Sequence, residues 1–310
     1  MMLPTIISML LSAAAVITFG SWVLGIYIAR AFAYSRSKSL EETYRMSLEF
    51  GDYTEEEFAS IPKKECVIPS PYGYHLTGVI IPNEDPRGLC ILCHGHTYTW
   101  HGMVKHISMF KERKYIILAY NHRYHGTSGG DCCSAGYYEK EDLKAAADWL
   151  LEQYPQFSSF GLMGESMGAA TALQYLDKQD ERLSFVIADC PYSDMNDLYR
   201  YKLRRHWIPS FLHPIILWFT HRYLANRAGF STYDVSPKAS ILRSRTPVLL
   251  MHGDADTYVP TWMSEEMHAL RNETAPTYLR LVEGAKHAQS WATDPEGCRE
   301  CVHRFLNNIS

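Results

Sequence analysis

The sequence predicts a doubly wound α/β fold built on a mostly parallel sheet. Short, continuous apolar runs, typical of strands buried on both faces, alternate with segments of helical periodicity. The apolar runs are 89–93, 115–120, 160–163, 185–188, 248–251 and 278–282. Two further segments, 67–68 and 75–81, flank a turn and predict an antiparallel hairpin. Ligands of such folds bind at the carboxyl ends of the strands, so the residues that follow each run are the first site candidates.

The composition fits an enzyme-like globular domain and excludes one class of partner. The chain has 310 residues, 46% of them hydrophobic, which suffices for a large core. Its net charge of -4 leaves no basic excess to neutralise phosphates. We therefore expect no nucleic-acid partner, and the composition leaves the oligomeric state open.

Two C-x-x-C pairs among the eight cysteines leave a zinc site open as an alternative. Cys90 and Cys93, however, lie inside a predicted strand, and Cys298 and Cys301 share a helical face with apolar residues. Because free cysteine packs as a small hydrophobe, we favour core packing and expect neither a metal nor a cofactor. Reduced thiols also favour a cytosolic location for the globular part.

The N-terminal segment is long and apolar enough to cross a membrane. Ile6–Ile28 spans 23 mostly apolar residues, and no charged side chain occurs before Arg30. The alternative is a cleaved signal peptide with a small-x-small site at 31–33, but a basic region before the apolar segment is missing. The basic residues that flank the span all follow it: Arg30, Arg36, Lys38 and Arg45. We expect an uncleaved, single-pass anchor whose C-terminal part faces the cytoplasm.

The strand rhythm then divides the rest of the chain. We predict an anchor over residues 1–34, a juxtamembrane linker helix over 35–62 and an α/β domain over 63–310. The rhythm breaks at about 191–245, where a dense apolar group around Trp207 indicates a helical insertion. This insertion could pack its apolar face on the core, form a cap that lines a pocket for an acyl or aromatic group, or do both.

A candidate nucleophile lies where one predicted strand meets a predicted helix. Ser166 stands between Gly164 and Gly168, and the small residues Ala169 and Ala170 follow. A serine raised above a sheet on a sharp turn needs neighbours without bulk, and the next helix must pack closely on the sheet. The N-terminus of that helix also directs backbone N–H groups toward developing negative charge.

Two further residues, each just past an apolar run, complete a candidate triad. Asp256 follows the run 248–251 and His287 follows the run 278–282. Serine is a poor nucleophile at neutral pH, so His287 would remove its proton while Asp256 orients the imidazole. Asp254 is the competing acid, with a turn-capping role as its alternative.

An anion-stabilising site is predicted beside the serine. The loop 94–97 follows the strand 89–93, at the position where a backbone N–H must face the nucleophile. We expect the backbone N–H groups of His96 and Met167 to form an oxyanion hole, a contribution of several kcal/mol. The hydroxyl of Tyr98 is a weaker candidate donor.

These motifs resemble the α/β-hydrolase superfamily, and more narrowly bacterial membrane-anchored serine hydrolases of the serine aminopeptidase-like and bile-acid-acyltransferase-like group. The resemblance runs from about Lys64 to the C-terminus. Residues 121–130 are similar to the D-x-R-x-H-G-x-S-x-G loop of these enzymes, with Asn121 in place of the usual Asp. Residues 252–260 follow the H-G-x-x-D-x-x-V-P pattern, which selects Asp256 as the acid. The resemblance implies an α/β-hydrolase fold with a serine triad.

The sequence leaves the reaction itself open among several classes. Cleavage of a carboxylic ester on a small acyl substrate is the first hypothesis. A peptidase or amidase is the second, and a charged terminus of its substrate would be bound by Arg200, Arg204 or Arg205. An acyltransferase on the same triad and a non-catalytic binding protein are the remaining alternatives.

Overall fold

A single sheet organises most of the chain. The computed structural model describes residues 2–271 and 275–309. Within these residues the sheet has eight strands: β1 (Lys64–Pro69), β2 (His75–Ile81), β3 (Gly88–Cys93), β4 (Tyr115–Tyr120), β5 (Phe160–Glu165), β6 (Leu183–Asp189), β7 (Val248–Gly253) and β8 (Thr277–Val282). Their order across the sheet is β1-β2-β4-β3-β5-β6-β7-β8. β1 and β2 form the predicted antiparallel hairpin, β2 pairs antiparallel to β4, and the other neighbours are parallel. The predicted mostly parallel sheet is confirmed.

Helices connect the strands and extend the chain at its N-terminus. Over the same described residues they are α1 (Met2–Ala33), α2 (Leu40–Glu49), α3 (Glu55–Ser60), α4 (Ile107–Glu112), α5 (Glu139–Gln153), α6 (Met167–Tyr175), α7 (Met195–Arg205), α8 (His213–Ala228), α9 (Pro237–Ile241), α10 (Trp262–Arg271), α11 (Ser290–Thr293) and α12 (Pro295–Ile309). The chain divides into two compact units. Residues up to Ser35 together with Met195–Asp234 form the helical unit, and Arg36–Asp194 with Val235–Ser310 form the sheet unit.

The sheet unit has a core on each face of its sheet. Successive strand residues alternate between the two cores: Ile91 and Leu162 belong to one, and Leu92 and Met163 belong to the other. All six residues of β5 are buried. This double burial explains why the central strands are continuous apolar runs. The parallel pairing of β4, β3, β5, β6, β7 and β8 places the carboxyl ends of these strands at one edge.

The segment predicted as a juxtamembrane linker forms α2 and α3 and packs within the sheet unit. Both helices begin with a capping box, Ser39 with Glu42 in α2 and Thr54 with Glu57 in α3. Each box satisfies two N–H groups at the start of a helix that is too short to persist alone. Phe58 of α3 stacks against the Trp100 ring at 5.9 Å between centroids.

In the helical unit, α1 and α8 pack against each other over the C-terminal half of α1. The buried residues of that half recur every four positions and are small: Ser21, Gly25, Ala29 and Ala33. A Cβ at Gly25 would lie 2.7 Å from the Ile216 carbonyl oxygen, so only glycine permits this approach. The Thr220 hydroxyl donates to the Gly25 carbonyl at 3.1 Å. Close contact through small residues is typical of helix pairs in membranes.

Candidate active site

Ser166 occupies a strained turn between β5 and α6. Its φ of 54° and ψ of -114° lie in a region that side chains other than glycine rarely adopt. The two flanking glycines make the turn possible. A Cβ at Gly164 would lie 2.3 Å from the backbone of Gly168, and a Cβ at Gly168 would lie 2.0 Å from the Cys93 carbonyl oxygen. The packing therefore requires a hydrogen atom at both positions, as the sequence predicts.

A continuous hydrogen-bond path links Ser166 to the two other predicted residues. The Ser166 hydroxyl oxygen lies 2.8 Å from His287 Nε2. The His287 Nδ1–H donates to Asp256 Oδ2 at 2.6 Å. Ser166 and His287 are 121 positions apart in the sequence, and Asp256 and His287 are 31 positions apart. All three residues nevertheless follow the carboxyl ends of parallel strands. The structure thus brings together the three side chains that the sequence singled out.

The Asp256 carboxylate is held in its ionised form by several donors. Its Oδ1 accepts hydrogen bonds from the backbone N–H groups of Tyr258 at 2.8 Å and Val259 at 2.9 Å. Its Oδ2 lies 3.3 Å from His252 Nε2, in addition to the contact with His287. Burial alone would raise the pKa of Asp256, but the hydrogen bonds from the two histidines hold that pKa well below its usual range.

Asp254, the competing acid, has a different task. It is exposed, and its Oδ1 accepts a hydrogen bond from the Gly284 N–H at 2.7 Å. This is the turn-capping role that the sequence left as its alternative. Asp256 is therefore the carboxylate that contacts His287.

The loop after β3 lies next to Ser166. A Cβ at Gly95 would be 3.6 Å from the Ser166 Cβ, so the following residue, His96, begins close to the nucleophile. Met167 is the first residue of α6, and N–H groups at that position take no part in the helical hydrogen bonds. Both predicted donors therefore belong to segments that adjoin Ser166.

Two buried histidines, His94 and His125, form hydrogen bonds that hold this loop. His94 Nε2 accepts a hydrogen bond from the His122 N–H at 2.9 Å. His125 Nε2 accepts one from the Thr97 N–H at 3.0 Å, while its Nδ1 donates to the Arg123 carbonyl at 2.7 Å. Burial lowers the pKa of both His94 and His125. Neutral rings satisfy these contacts, and each histidine joins the β3 loop to the loop after β4.

Asn121, where the resemblance calls for Asp, also supports this region. Its Oδ1 accepts a hydrogen bond from the Trp100 N–H at 3.0 Å, and its Nδ2 donates to the Thr77 hydroxyl at 3.0 Å. An aspartate would lack the second donor. The amide therefore replaces the carboxylate in a contact that holds loops and touches none of the three triad residues.

Lys38 clamps the same loop from the segment that follows α1. Its backbone N–H donates to the Thr97 carbonyl and its ammonium to the Thr97 hydroxyl, both at 2.9 Å. The ammonium also lies 4.6 Å from the centre of the Tyr98 ring. Thr97 itself has a φ of 64°, so this clamp holds a strained residue directly after His96. From the sequence, Lys38 is only a basic residue that follows the predicted membrane span, and no local pattern predicts its contact with Thr97.

The buried Lys105 contacts both the residue before Ser166 and the residue after His287. The Lys105 ammonium lies 2.7 Å from Glu165 Oε2 and donates to the Ala288 carbonyl at 3.2 Å. Asp52 adds a second carboxylate at 3.6 Å. Burial alone would raise the pKa of Glu165, but the charge of Lys105 lowers it to about 2. Glu165 and Ala288 directly adjoin Ser166 and His287, so one ammonium contacts both segments that carry these residues. A lone lysine within an apolar run was the available sequence signal.

Three clusters of metal-ligating atoms occur among the described residues, and each is already engaged. The sets are His96, His125 and Cys133; Cys190, Asp256 and His287; and His106, Glu165 and Asp189. Both ring nitrogens of His125 have partners, as do both ring nitrogens of His287. In the third set, Glu165 already forms an ion pair with the Lys105 ammonium.

The geometry is that of a serine nucleophile on an α/β sheet, and sequence comparison places it in a family. Residues 100–307 match the prolyl oligopeptidase family. The chain belongs to the prolyl oligopeptidase family. This member is 32% identical over 290 residues to the uncharacterised protein YqkD of Bacillus subtilis (strain 168), and the alignment covers 93% of each chain. The expected membership of the α/β-hydrolase superfamily is confirmed.

Solved structures of low sequence identity share the fold. An esterase of Pyrococcus furiosus is 23% identical with a TM-score of 0.67, covering 83% of this chain and 94% of the esterase. An acylaminoacyl peptidase of Pyrococcus horikoshii is 18% identical with a TM-score of 0.60, covering 83% of this chain and 43% of the peptidase. Family and fold together identify the chain as a serine hydrolase.

Proposed function

We propose that this serine hydrolase cleaves a carboxylic ester through an acyl-enzyme on Ser166. The main support for this proposal is the pair of hydrogen bonds that connects the Ser166 hydroxyl through His287 to an ionised Asp256. His287 takes the hydroxyl proton as the serine oxygen bonds to the acyl carbon. The ester C–O bond then breaks, and His287 returns the proton to the departing alcohol. Water repeats the sequence and releases the carboxylic acid.

The developing negative charge on the acyl oxygen is assigned to the backbone N–H groups of His96 and Met167. Their segments adjoin Ser166, and such donors act without rearrangement at the moment of reaction. In other serine hydrolases, loss of one donor costs about 10²–10³ in kcat. Lys38 and His125 hold Thr97, the residue after His96, and so keep the first donor in place.

Amide cleavage is the second candidate. It is favoured by the family name and by the acylaminoacyl peptidase among the structural relatives. The arginines suggested for binding a charged terminus give it little support. Arg200 pairs with Asp197 at 3.2 Å on α7, and Arg204 and Arg205 are exposed at the end of that helix.

We also propose that α1 is an uncleaved anchor with the sheet unit in the cytoplasm. An 18-residue stretch within residues 3–33 has a mean hydropathy of 2.0, and the helix is long enough to cross a bilayer. Cleavage after 31–33 would remove Ser21, Gly25 and Ala29, which pack within the helical unit. The excess of basic residues after the span favours a cytoplasmic C-terminal part. The eight cysteines are free, which suits a reducing compartment.

Chromogenic substrates test the reaction type. Matched p-nitrophenyl esters and p-nitroanilides of straight-chain acids of increasing length are compared at equal concentration. Ester turnover well above anilide turnover, abolished in Ser166→Ala and unchanged in the exposed control Ser158→Ala, is the expected result. Anilide turnover that equals or exceeds ester turnover would replace the proposal with an amidase. Acyl transfer to an added alcohol in preference to water would replace it with an acyltransferase.

A further inference from the structure

The helical unit exposes large apolar side chains well beyond the N-terminal part of α1. Ile215 and Trp218 of α8 are 38% and 54% exposed, and Phe211, on the 3-10 turn that leads into α8, is 70% exposed. The opposite face of α8 packs on α1 through residues that include Ile216 and Thr220. A row of exposed aromatic and branched side chains on an ordered helix indicates a surface that meets an apolar partner.

The loop before α8 presents a tryptophan to the same partner. Trp207 is 92% exposed and has a φ of 58°, so a strained backbone holds the largest side chain outward. The buried ring of His213 contacts the Ile208 carbonyl at 2.9 Å and fixes the base of the loop. Because the loop is anchored, the exposure of Trp207 is built into the fold.

The packing of α8 on α1 places this surface toward the end of α1 that enters a bilayer. The contacts advance together along both helices, from Gly25 with Thr220 to Arg30 with Tyr223. The two helices therefore run parallel, and the start of α8 lies beside the part of α1 that precedes Gly25. Residues 3–20 of α1 are exposed throughout, and these 18 residues span about 27 Å at 1.5 Å per residue. That length matches a hydrocarbon core of about 30 Å.

The charge of this segment specifies the partner further. Residues 198–233 contain six basic side chains and no acidic one, in a chain whose net charge is -4. No Lys, Arg, Asp or Glu interrupts residues 206–221. Exposed arginines stand at both ends of this uncharged stretch: Arg204 and Arg205 before it, Arg222 and Arg227 after it. Apolar aromatics bordered by basic residues are suited to the interface of an anionic bilayer.

We propose that Trp207, Phe211, Ile215 and Trp218 insert into the surface of the anionic bilayer that α1 spans, with the flanking arginines on the lipid headgroups. We call these four residues the docking face. The proposal rests on the anchoring proposed above and adds a second, interfacial membrane contact. Trp and Tyr are enriched at such interfaces because the ring is apolar and one edge is polar. The anchored α1 makes insertion intramolecular, so the docking face needs little affinity of its own.

A depth-sensitive fluorophore on the full chain tests this directly. The probe is attached at Phe211→Cys, with Ser158→Cys of the sheet unit as the matched exposed site. Most native cysteines are buried, and the unsubstituted chain gives the background. Each chain is reconstituted in phosphatidylcholine vesicles with and without phosphatidylglycerol, and with a lipid that carries a nitroxide quencher high on its acyl chain. Flotation of the vesicles and fluorophosphonate labelling are recorded on the same samples.

The expected result is quenching and a blue shift of the probe at 211, larger with phosphatidylglycerol, and neither change at 158. Arg204→Glu with Arg205→Glu should weaken insertion about fivefold per residue, since each basic residue near an anionic surface contributes about 1 kcal/mol. The same reversals at Lys64 and Arg304 of the sheet unit should leave the signal unchanged.

Each other outcome overturns the proposal in a distinct way. Chains that float with vesicles while the probe at 211 stays as unquenched as the probe at 158 retain the anchor and lack the docking face. Chains that fail to float refute the anchor and the docking face together, and their fluorophosphonate labelling reports separately on the catalytic proposal. Probe self-quenching that depends on protein concentration and not on lipid would show that a second copy covers the face.

Discussion

The two units of the chain differ in what they bury and what they expose. In the sheet unit, buried charges such as Lys105 and Glu165 are paired within 2.7 Å, and Asp256 accepts hydrogen bonds from two backbone N–H groups. In the helical unit, residues 3–20 are mostly apolar and exposed, and Trp207 is 92% exposed. The buried charges of the sheet unit are compensated within the chain, whereas the helical unit leaves a long row of apolar side chains exposed.

Small residues show the same contrast from another side. Gly168 lets α6 approach β3 so that a reactive serine can be raised above a sheet. Gly25 lets α8 approach α1 so that the two helices pack closely. Glycine allows close contact in both units. The first contact shapes the turn that carries Ser166, and the second packs α8 on α1.

The largest effect is expected from the acid of the triad. Asp256→Asn should lower kcat by about 10⁴, because an amide no longer stabilises the protonated His287 or fixes its tautomer. Asp254→Asn, two residues away, is the matched control and should change kcat less than threefold, since its carboxylate only caps Gly284. Steady-state kinetics on the preferred ester decide between them. Equal losses in the two variants would contradict the assignment of Asp256.

The ion pairs of Lys105 are expected to have a large effect on the free energy of unfolding. Lys105→Met leaves Glu165 and Asp52 buried without a cation, which typically costs about 3–5 kcal/mol. Denaturant unfolding at neutral pH measures the free energy of unfolding. Lys64→Met, at an exposed position, should change it by less than about 0.5 kcal/mol. A cost at residue 105 as small as that at residue 64 would show that the buried charges find other compensation.

The helix pair offers a matched test in the helical unit. Gly25→Val places a Cβ within 3.0 Å of three α8 atoms and should cost about 1–3 kcal/mol of packing. Gly20→Val, where nothing lies within 4 Å, should be neutral. Protease sensitivity of the segment 207–219 in vesicles reports on the pairing of α1 with α8. Identical digestion rates in the two variants would argue that the helices do not pack as described.

A smaller kinetic effect is expected from Lys38. Lys38→Ala should lower kcat about five- to tenfold with KM little changed, because Lys38 holds Thr97, the residue after the proposed oxyanion-hole donor His96. Lys38→Arg should restore part of the loss. Arg36→Ala, which removes an exposed pair with Glu42, is the control. A change in KM alone would assign Lys38 to substrate binding.

The sequence predicted those features whose signals are local. The strand β5 is a continuous apolar run. The turn at Ser166 needs a glycine two residues before it and another two residues after it. Asp256 and His287 followed because each lies at the end of a predicted strand. What the sequence left out depends on distant contacts. Lys38 meets Thr97 across 59 positions, and Lys105 meets Ala288 across 183.

The pairing of α1 with α8 shows where such prediction stops. The small residues at every fourth position from Ser21 to Ala33 indicate a helix-packing face. Their partner begins almost two hundred residues later, and no local pattern names it. The apolar group around Trp207 was predicted as a helical insertion, but the side chains that would be exposed followed only from the packing of α8.

The site at which a fluorophosphonate adduct forms on the folded full chain decides whether Ser166 is the nucleophile. The account predicts a single adduct, mapped by mass spectrometry to the peptide that contains Ser166, and its loss in Ser166→Ala but not in Ser158→Ala. An adduct on another residue of folded protein, or a stoichiometric adduct that persists in Ser166→Ala, would contradict the account.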